Sequence, residues 1–276
     1  MSHARPVDRS VPVEPTAVEM VGRQSDYWIT NFRRTWRGSV VSSFLQPLLY
    51  VASMGILLGG YIDDAAGASE SLGGLSYLAF VVPGLLAAHA MQLGTGEVMW
   101  PVLGAIKWDK TYLSMMATPL RVRDIAVGHL MSVAARLAIS CAVFVAAMLP
   151  FRVFDSVPAA LLTLLAGTLT GTSLACGMYA ISVRVTDEMI YPLIFRIAIM
   201  PMFLFSGAFF PVSNLPDVLE WAAKVTPLYH GVELCRMAST SSWDSDAATV
   251  HLAYLVVLGA AGVWWGIRGL ERRLAT

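Results

Sequence analysis

The sequence predicts an all-α polytopic membrane protein with six transmembrane helices. Of the 276 residues, 56% are hydrophobic and 14% are charged, whereas soluble domains carry about 25% charged residues. The mean hydropathy is +0.62, and the apolar residues form six segments near the roughly 20 residues that cross hydrocarbon. Residues 100–124 lie between two of these segments and carry Lys107, Lys110, Arg121 and Arg123. These charges would lose their hydration in lipid, so this segment must lie in water.

The N-terminal part of the chain precedes the first apolar segment. Residues 1–22 mix proline, charged and small residues without a period, which predicts a disordered tail. Residues 23–38 differ, because Trp28, Phe32 and Trp36 recur at helical spacing beside Arg33. This pattern predicts an amphipathic helix that anchors in the membrane interface, with aromatic rings in the bilayer and arginines at the phosphates. The alternative is an amphipathic helix packed on protein.

The transmembrane domain is predicted to cover residues 39–267, followed by a cytoplasmic tail at 268–276. Its six spans are placed at residues 39–60, 77–96, 125–149, 157–183, 189–205 and 248–267. Two spans carry small residues at helical spacing: Gly55 and Gly59 in the first, and Gly167, Gly171 and Ala175 in the fourth. Small residues let helix backbones approach closely in lipid, although glycine also occurs incidentally in such helices.

The basic residues are distributed unevenly about these spans. Fourteen lie on the side that contains both predicted termini and residues 100–124, and three lie on the other side. The first set is Arg5, Arg9, Arg23, Arg33, Arg34, Arg37, Lys107, Lys110, Arg121, Arg123, Arg184, Arg268, Arg272 and Arg273, and the second is Arg152, Lys224 and Arg236. Since cytoplasmic loops carry the excess of Lys and Arg, the sequence predicts that both termini and residues 100–124 are cytoplasmic.

The segment after the fifth span is too apolar for a solvated loop. It begins with SGAFFP at residues 206–211, called here the elbow, and continues with two short apolar stretches at 217–225 and 228–237. Asp217 suits a helix start, because an acid there meets the positive end of the helix dipole. We therefore expect two short extracellular helices that re-enter the outer leaflet.

Several classes of chemistry have no support in the sequence. No GxxxxGK[ST] phosphate loop, HExxH motif or convergent set of catalytic residues is present, which argues against a membrane-embedded enzyme. The three cysteines show no metal-binding spacing, so no metal site is expected. The formal net charge of +0 provides no global field that would attract nucleic acid.

Three stretches resemble a known family. They are residues 31–60 (NFRRTWRGSVVSSFLQPLLYVASMGILLGG), the segment with Ala117-Thr118-Pro119-Leu120, and residues 206–236 (SGAFFPVSNLP…TPLYHGVELCR). Together they resemble type-2 ABC exporter permeases, above all the branch similar to the nodulation lipo-oligosaccharide exporter. The resemblance covers residues 31–265 in order and includes the six-span topology.

This resemblance implies the transmembrane subunit of an ATP-driven exporter in the bacterial plasma membrane, and not an enzyme. Such permeases form a dimer, expected here to be a homodimer, that contacts membrane lipids and binds two copies of a separately encoded cytoplasmic ABC ATPase. ATP and Mg²⁺ are expected on that ATPase, with no cofactor on this chain. The expected cargo is an amphiphile, namely a lipid-linked saccharide, a lipid or a hydrophobic drug, and fold analogy does not choose among these.

Residues 100–124 would then contain the coupling segment that docks on the ATPase. Aromatic and methionine side chains at helical spacing, rimmed by charge, have the composition of an interface hot spot. The predicted coupling residues are Lys107, Trp108, Asp109, Lys110, Tyr112, Met115 and Met116. The alternative is that this cluster only packs beneath the membrane surface.

Substrate is expected to pass along the dimer interface, which the first, second and fifth spans would form. Phe209, Phe210 and Pro211, with Trp221, are predicted to form an outer gate. The alternative, that these side chains only hold the elbow onto the spans, remains open.

Two arginines, Arg136 and Arg196, fall inside predicted spans. Each either meets a polar substrate headgroup or pairs with an acid such as Glu97, Asp187 or Glu188. The rival class of protein is an ion-coupled secondary transporter. The predicted spans contain no buried carboxylate for a proton or sodium site, which argues against that class.

Overall fold

The computed structural model describes residues 74–274 continuously, together with Leu45, Leu48, Leu49, Leu72 and residues 51–53. Within these residues all regular structure is helical, and no strand occurs. From residue 74 onward the helices are α1 (Tyr77–Lys107), α2 (Thr111–Met116), α3 (Val122–Met148), α4 (Val157–Ser182), α5 (Ile190–Phe205), α6 (Asp217–Val225), α7 (Pro227–Ser239) and α8 (Ser245–Leu274). The all-α prediction is confirmed for this part of the chain.

Four of these helices, α1, α3, α4 and α8, are long and apolar enough to cross a membrane. They confirm the spans predicted at 77–96, 125–149, 157–183 and 248–267. Two of them are longer than predicted, because α1 continues to Lys107 and α8 to Leu274. Residues 268–274, predicted to form a cytoplasmic tail, continue this helix, and their location relative to the membrane stays a prediction.

Helix α5 differs from the predicted fifth span at 189–205. It is an apolar helix shorter than the other four, with a π turn at Phe195–Ile199 between two α-helical parts. Pro201 follows this turn and has no N–H for the carbonyl four residues earlier, which favours such an irregularity. Sixteen residues extend about 24 Å, less than the roughly 30 Å hydrocarbon core.

The N-terminal predictions lie outside the described residues. These are the tail at 1–22, the interfacial helix at 23–38 with Trp28, Phe32, Arg33 and Trp36, and most of the first span at 39–60. The count of six spans, and the anchoring role of those aromatic residues, therefore stay predictions.

Side-chain caps determine where three helices begin. The hydroxyl of Ser76 accepts a hydrogen bond from the Ala79 N–H at the start of α1. Ser156 caps α4 in the same way, and Thr226 caps α7, whose first residue is Pro227. Such residues satisfy N–H groups that have no partner inside the helix.

Helices α1 and α4 cross with their backbones in contact. A Cβ built on Gly171 lies 2.7 Å from the Ala90 carbonyl oxygen, and one built on Gly94 lies 2.6 Å from the Gly171 carbonyl oxygen. Neither position has room for a larger side chain. The close contact predicted from the small residues of the fourth span is confirmed at Gly171.

The opposite face of α4 packs against α8 in the same manner. A Cβ built on Gly262 lies 2.5 Å from the backbone carbon of Cys176. Helix α4 thus lies between α1 and α8. Since α8 leaves Val256, Val257 and Trp264 exposed, it lies at the edge of the bundle.

The two short helices predicted after the fifth span are confirmed as α6 and α7, but they pack differently. Leu228, Val232 and Cys235 of α7 are fully buried against α1 and α4. On α6, Val218 is 80% exposed and Trp221 is 73% exposed. Helix α6 buries only Ala223, and the Tyr254 hydroxyl of α8 donates to the Val225 carbonyl at its end, while the predicted re-entry of both helices into the outer leaflet stays a prediction.

Replacing Gly171 by alanine tests the α1–α4 crossing. The new Cβ meets the Ala90 carbonyl, so the helices must separate, and overpacking of this kind costs about 1–3 kcal/mol. We expect a lower unfolding temperature for the purified protein in detergent. The matched control is Gly177→Ala on the same helix, where the nearest atom lies 4.0 Å away. Equal stability of the two variants would contradict the crossing.

Candidate functional site

Charged side chains connect several helices at one end of the bundle, called here the basic end. Lys107, at the last turn of α1, forms an ion pair of 3.1 Å with Glu188 in the α4–α5 connection. Arg123, in the first turn of α3, lies 3.6 Å from Glu271 near the end of α8. These exposed pairs are weak individually, but they define which helix ends meet.

The last turns of α8 also lie at the basic end. Arg273 donates to the carbonyl oxygens of Val183 and Val185 at 2.8 Å and 2.6 Å. These carbonyls follow α4, where helix carbonyls lose their partners within the helix. Arg184 donates in turn to the Trp265 carbonyl at 2.8 Å. Residues 268–274 are thus packed on α4.

Residues 100–124, which are predicted to lie in water, are largely helical. Helix α1 continues through the first third of the segment, and the chain turns at Lys110, whose φ of 51° is left-handed. Helix α2 follows at once. The Arg121 N–H then donates to the Asp124 carboxylate at 3.0 Å, where α3 begins.

Exposed apolar side chains cluster around this turn. Trp108 is 52% exposed, Leu113 is 46% exposed and Met116 is 38% exposed. They lie beside the exposed charges of Asp109 and Lys110. These five residues are called here the docking surface.

Leu113 belongs to this surface although the sequence pattern did not select it. Counting at helical spacing from Trp108 to Tyr112 assumes one continuous helix. The left-handed residue Lys110 interrupts that helix. The helical phase therefore restarts at Thr111, and Leu113 is exposed instead of Tyr112.

Tyr112 and Met115, predicted as surface anchors, lie differently. Tyr112 is fully buried, and its hydroxyl lies 2.7 Å from Nδ1 of His129 on α3. Met115 is partly buried against the core. These side chains hold α2 onto the bundle, so the prediction that Tyr112 is available to a partner is wrong.

A buried polar network continues from Tyr112 into the bundle. Nε2 of His129 lies 3.3 Å from the Glu97 carbonyl oxygen. The Glu97 carboxylate accepts a hydrogen bond from Arg136 at 2.8 Å. Of the two predicted roles of Arg136, the structure shows the ion pair with Glu97.

Arg196 has a different environment. It lies exposed on the π turn of α5, and no carboxylate of the described residues lies within ion-pair distance. The predicted partner Glu188 pairs with Lys107 instead. The predicted contact of Arg196 with a substrate headgroup stays a prediction.

The elbow, at the other end of the bundle, is held by Arg236 of α7. Its Nη2 donates to the Gly207 carbonyl at 2.7 Å, and its guanidinium lies 3.9 Å from the ring centroid of Phe80 on α1. Gly207 has a φ of 84°, which favours glycine. The backbone of Ala208 touches Gly84, where an added Cβ would lie 2.7 Å from the Ala208 Cα.

The predicted gate residues are only partly brought together. Phe209 packs edge-to-face on Phe203, with ring centroids 5.1 Å apart, and both Phe209 and Phe210 are half-buried. Pro211 directly follows them, whereas Trp221 points away from protein. In the sequence, Arg236 is only one of the three basic residues on the less basic side. Its position as a single arginine within an apolar stretch is the feature that indicates a structural role.

Known proteins match the part of the chain that contains both the docking surface and the elbow. Residues 27–239 match the ABC-2 type transporter family. Nodulation protein J of Rhizobium leguminosarum bv. trifolii is 31% identical over 218 residues, covering 76% of this chain and 79% of the relative. Nodulation protein J of Sinorhizobium fredii is 28% identical over 256 residues, covering 90% and 94%. The inner membrane transport permease YadH of Escherichia coli is 24% identical over 206 residues, covering 73% and 75%.

Proposed function

Because the chain belongs to the ABC-2 type transporter family, we propose that it exports an amphiphile, driven by an ATPase subunit that binds its docking surface. Membership makes the chain the membrane subunit of an ABC exporter, a multi-pass permease that works with a separate ATPase subunit. The substrate, the docking site, the orientation and the number of subunits are the proposed parts.

The docking surface is the observation that carries the proposal. Trp108, Leu113 and Met116 expose apolar area at the turn after α1 and on α2, where no described element covers them. A central apolar cluster with a rim of charge, here Asp109 and Lys110, is the usual composition of a protein interface. ATP and Mg²⁺ would lie on the ATPase, with no cofactor on this chain.

A second permease subunit completes the proposed transporter. Helix α5 carries exposed apolar side chains along its whole length, among them Leu193, Ile197 and Met200. It is also too short to be an ordinary lipid-facing span. We infer a homodimer in which α5 and α1 face the partner, served by two ATPase copies.

The proposed substrate is an amphiphile with an anionic or polar headgroup. The long helices expose leucine and valine, and the charge of Arg136 is neutralised by Glu97. Arg196, on the proposed dimer face, is a cation without a described acidic partner. It suits the headgroup of a lipid or a lipid-linked saccharide better than an uncharged hydrophobic drug.

One observation from the structure favours the alternative, an ion-coupled secondary transporter. Glu97 lies inside α1 and is part-buried, so the premise that no span contains a carboxylate is wrong at this residue. The pairing with Arg136 at 2.8 Å occupies that carboxylate. Family membership favours the ATP-driven exporter.

The basic end is proposed to be cytoplasmic. The described cations at this end are Lys107, Lys110, Arg121, Arg123, Arg184, Arg268, Arg272 and Arg273, and those at the other end are Arg152, Lys224 and Arg236. This asymmetry follows the positive-inside rule. It also places the docking surface where ATP is available.

The elbow is proposed to close the outer end of the substrate path. Arg236 and the Gly84 contact hold its backbone, so Phe209 and Phe210 are presented from a rigid support. Aromatic rings exclude water and ions, but they can yield to an acyl chain. The exposed apolar face of α6 would lie at outer-leaflet depth.

Truncating two side chains of the docking surface tests ATPase binding. Trp108→Ala with Leu113→Ala should weaken binding of the co-purified ATPase by about 2 kcal/mol or more, which is roughly 30-fold in Kd. Binding is measured with permease in nanodiscs. The matched control is Trp243→Ala at the other end, where the side chain is 50% exposed. Wild-type affinity of the double variant would refute the docking surface.

Cysteine labelling tests the orientation. The native thiols Cys141, Cys176 and Cys235 are all buried, so background labelling is low. An impermeant maleimide added to intact cells should label Ser242→Cys, near the start of α8, and should label Ser114→Cys of α2 only after permeabilisation. Labelling in the opposite order would place the basic end outside.

Removing the two phenyl rings of the elbow tests the gate. Phe209→Ala with Phe210→Ala should leave the unfolding temperature within a few degrees of wild type, since both rings are only half-buried. Liposomes containing this variant should leak a fluorescent dye faster without ATP. Phe151→Ala, outside the elbow at the same end, is the control and should not leak. A tight but folded double variant would show that the rings only hold the elbow.

A further inference from the structure

Tyr112 begins a continuous chain of polar contacts that leads from α2 to the interior of the bundle. The chain consists of Tyr112, His129, Glu97 and Arg136, and is called here the polar chain. Its contacts are 2.7 Å from the tyrosine hydroxyl to His129, 3.3 Å from His129 to the Glu97 carbonyl, and 2.8 Å from Arg136 to the Glu97 carboxylate.

The hydrogen bonds of this chain converge on Glu97, which accepts from His129 with its carbonyl and from Arg136 with its carboxylate. The Glu97 carbonyl can only accept, so Nε2 of His129 must be the donor to it. In a neutral imidazole Nδ1 then carries no proton and accepts from the Tyr112 hydroxyl. The Glu97 carbonyl therefore determines the tautomer of His129, and the Tyr112 hydroxyl holds the orientation of the ring at Nδ1.

Helix α2 has few other connections to the bundle. Tyr112 is its one buried side chain, while Leu113, Ser114 and Met116 are exposed. The imidazole that receives Tyr112 is buried and lies between two tyrosine rings, with centroids 6.1 Å from Tyr112 and 5.8 Å from Tyr179. A displacement of α2 must move this packed group.

The far end of the polar chain joins α1 to α3. Arg136 lies seven residues beyond His129, about 10 Å deeper along α3. Its ion pair with Glu97 holds the two helices together at a level well inside α1. This pair therefore links the position of α3 to α1, one of the two helices of the proposed dimer face.

We propose that Tyr112 is a positioning residue that transmits movement of α2 to the Glu97–Arg136 ion pair through His129, an inference that rests on the proposed ATPase-driven function. Movement of the docking surface on its ATPase shifts the Tyr112 hydroxyl. The imidazole follows the hydroxyl to which its Nδ1 is hydrogen-bonded, and its Nε2 passes the displacement to the backbone of Glu97. The α1–α3 separation then changes with the nucleotide state of the ATPase.

Tyr112→Phe removes only the hydroxyl and tests this transmission in the complete transporter in nanodiscs. Spin labels at Gly96 and Met131, both exposed, report the α1–α3 distance with ADP and after trapping with ATP and vanadate. A label at Ser114 reports α2. We expect Tyr112→Phe to retain ATPase affinity and the α2 response, but to reduce the ATP-dependent α1–α3 population shift at least about fivefold.

Two further variants separate transmission from a merely structural role. Tyr191→Phe removes the hydroxyl of another fully buried tyrosine, which makes no hydrogen bond to the polar chain, and should respond as wild type. Glu97→Gln keeps the backbone carbonyl but weakens the ion pair. It should lose the α1–α3 response while the α2 response remains.

The outcomes are distinguishable. A wild-type permease that binds no ATPase would refute the proposed function, whatever Tyr112 does. With the ATPase bound, a wild-type complex without an α1–α3 change, or a Tyr112→Phe complex with the full change, would overturn the role of the polar chain. Loss of ATPase affinity in Tyr112→Phe, or an equal loss of response in Tyr191→Phe, would assign Tyr112 to folding alone and would also overturn it.

Discussion

The contact between the backbones of α1 and α4 is the constraint on which the other contacts depend. Lipid supplies no hydrophobic drive between helices, so association relies on close packing. At Gly94 and Gly171 each helix occupies the space that a Cβ of the other would need. This contact places α4 at the centre and leaves its opposite face for α8. It also creates the surface on which α7 packs.

The same arrangement produces two ends with different chemistry. At the basic end, Lys107–Glu188 and Arg273–Val183 connect elements far apart in the sequence, and α2 is fastened by Tyr112. At the other end, Arg236 holds the elbow on α1. Both ends combine a rigid support with exposed apolar side chains, Trp108 and Leu113 at one and Val218 and Trp221 at the other. In the proposed transporter these two ends would face the ATPase and the outer leaflet.

Two predictions from the sequence are wrong for the same physical reason. The pattern around Trp108 and Tyr112 was read as a single helical face, but the left-handed Lys110 divides it. Likewise, the predicted second span ends at residue 96, which leaves Glu97 just outside it. The helix nevertheless continues to Lys107, since a polar helix end in water retains its backbone hydrogen bonds. Hydropathy marks where lipid ends, whereas backbone geometry determines where a helix ends.

The sequence by itself determined the membrane class, the positions of the long helices, the basic end and the family, because hydropathy and charge depend on local composition. It also located the segment that contains the proposed docking surface, and the elbow. Only the tertiary structure decided that Tyr112 is buried, that Arg136 pairs with Glu97 and that Arg236 holds Gly207. In a span that is apolar on every side, the sequence does not reveal which face meets protein and which meets lipid. The contacts of Tyr112, Arg136 and Arg236 depend on which helix faces meet protein. Close packing at small residues selects those faces.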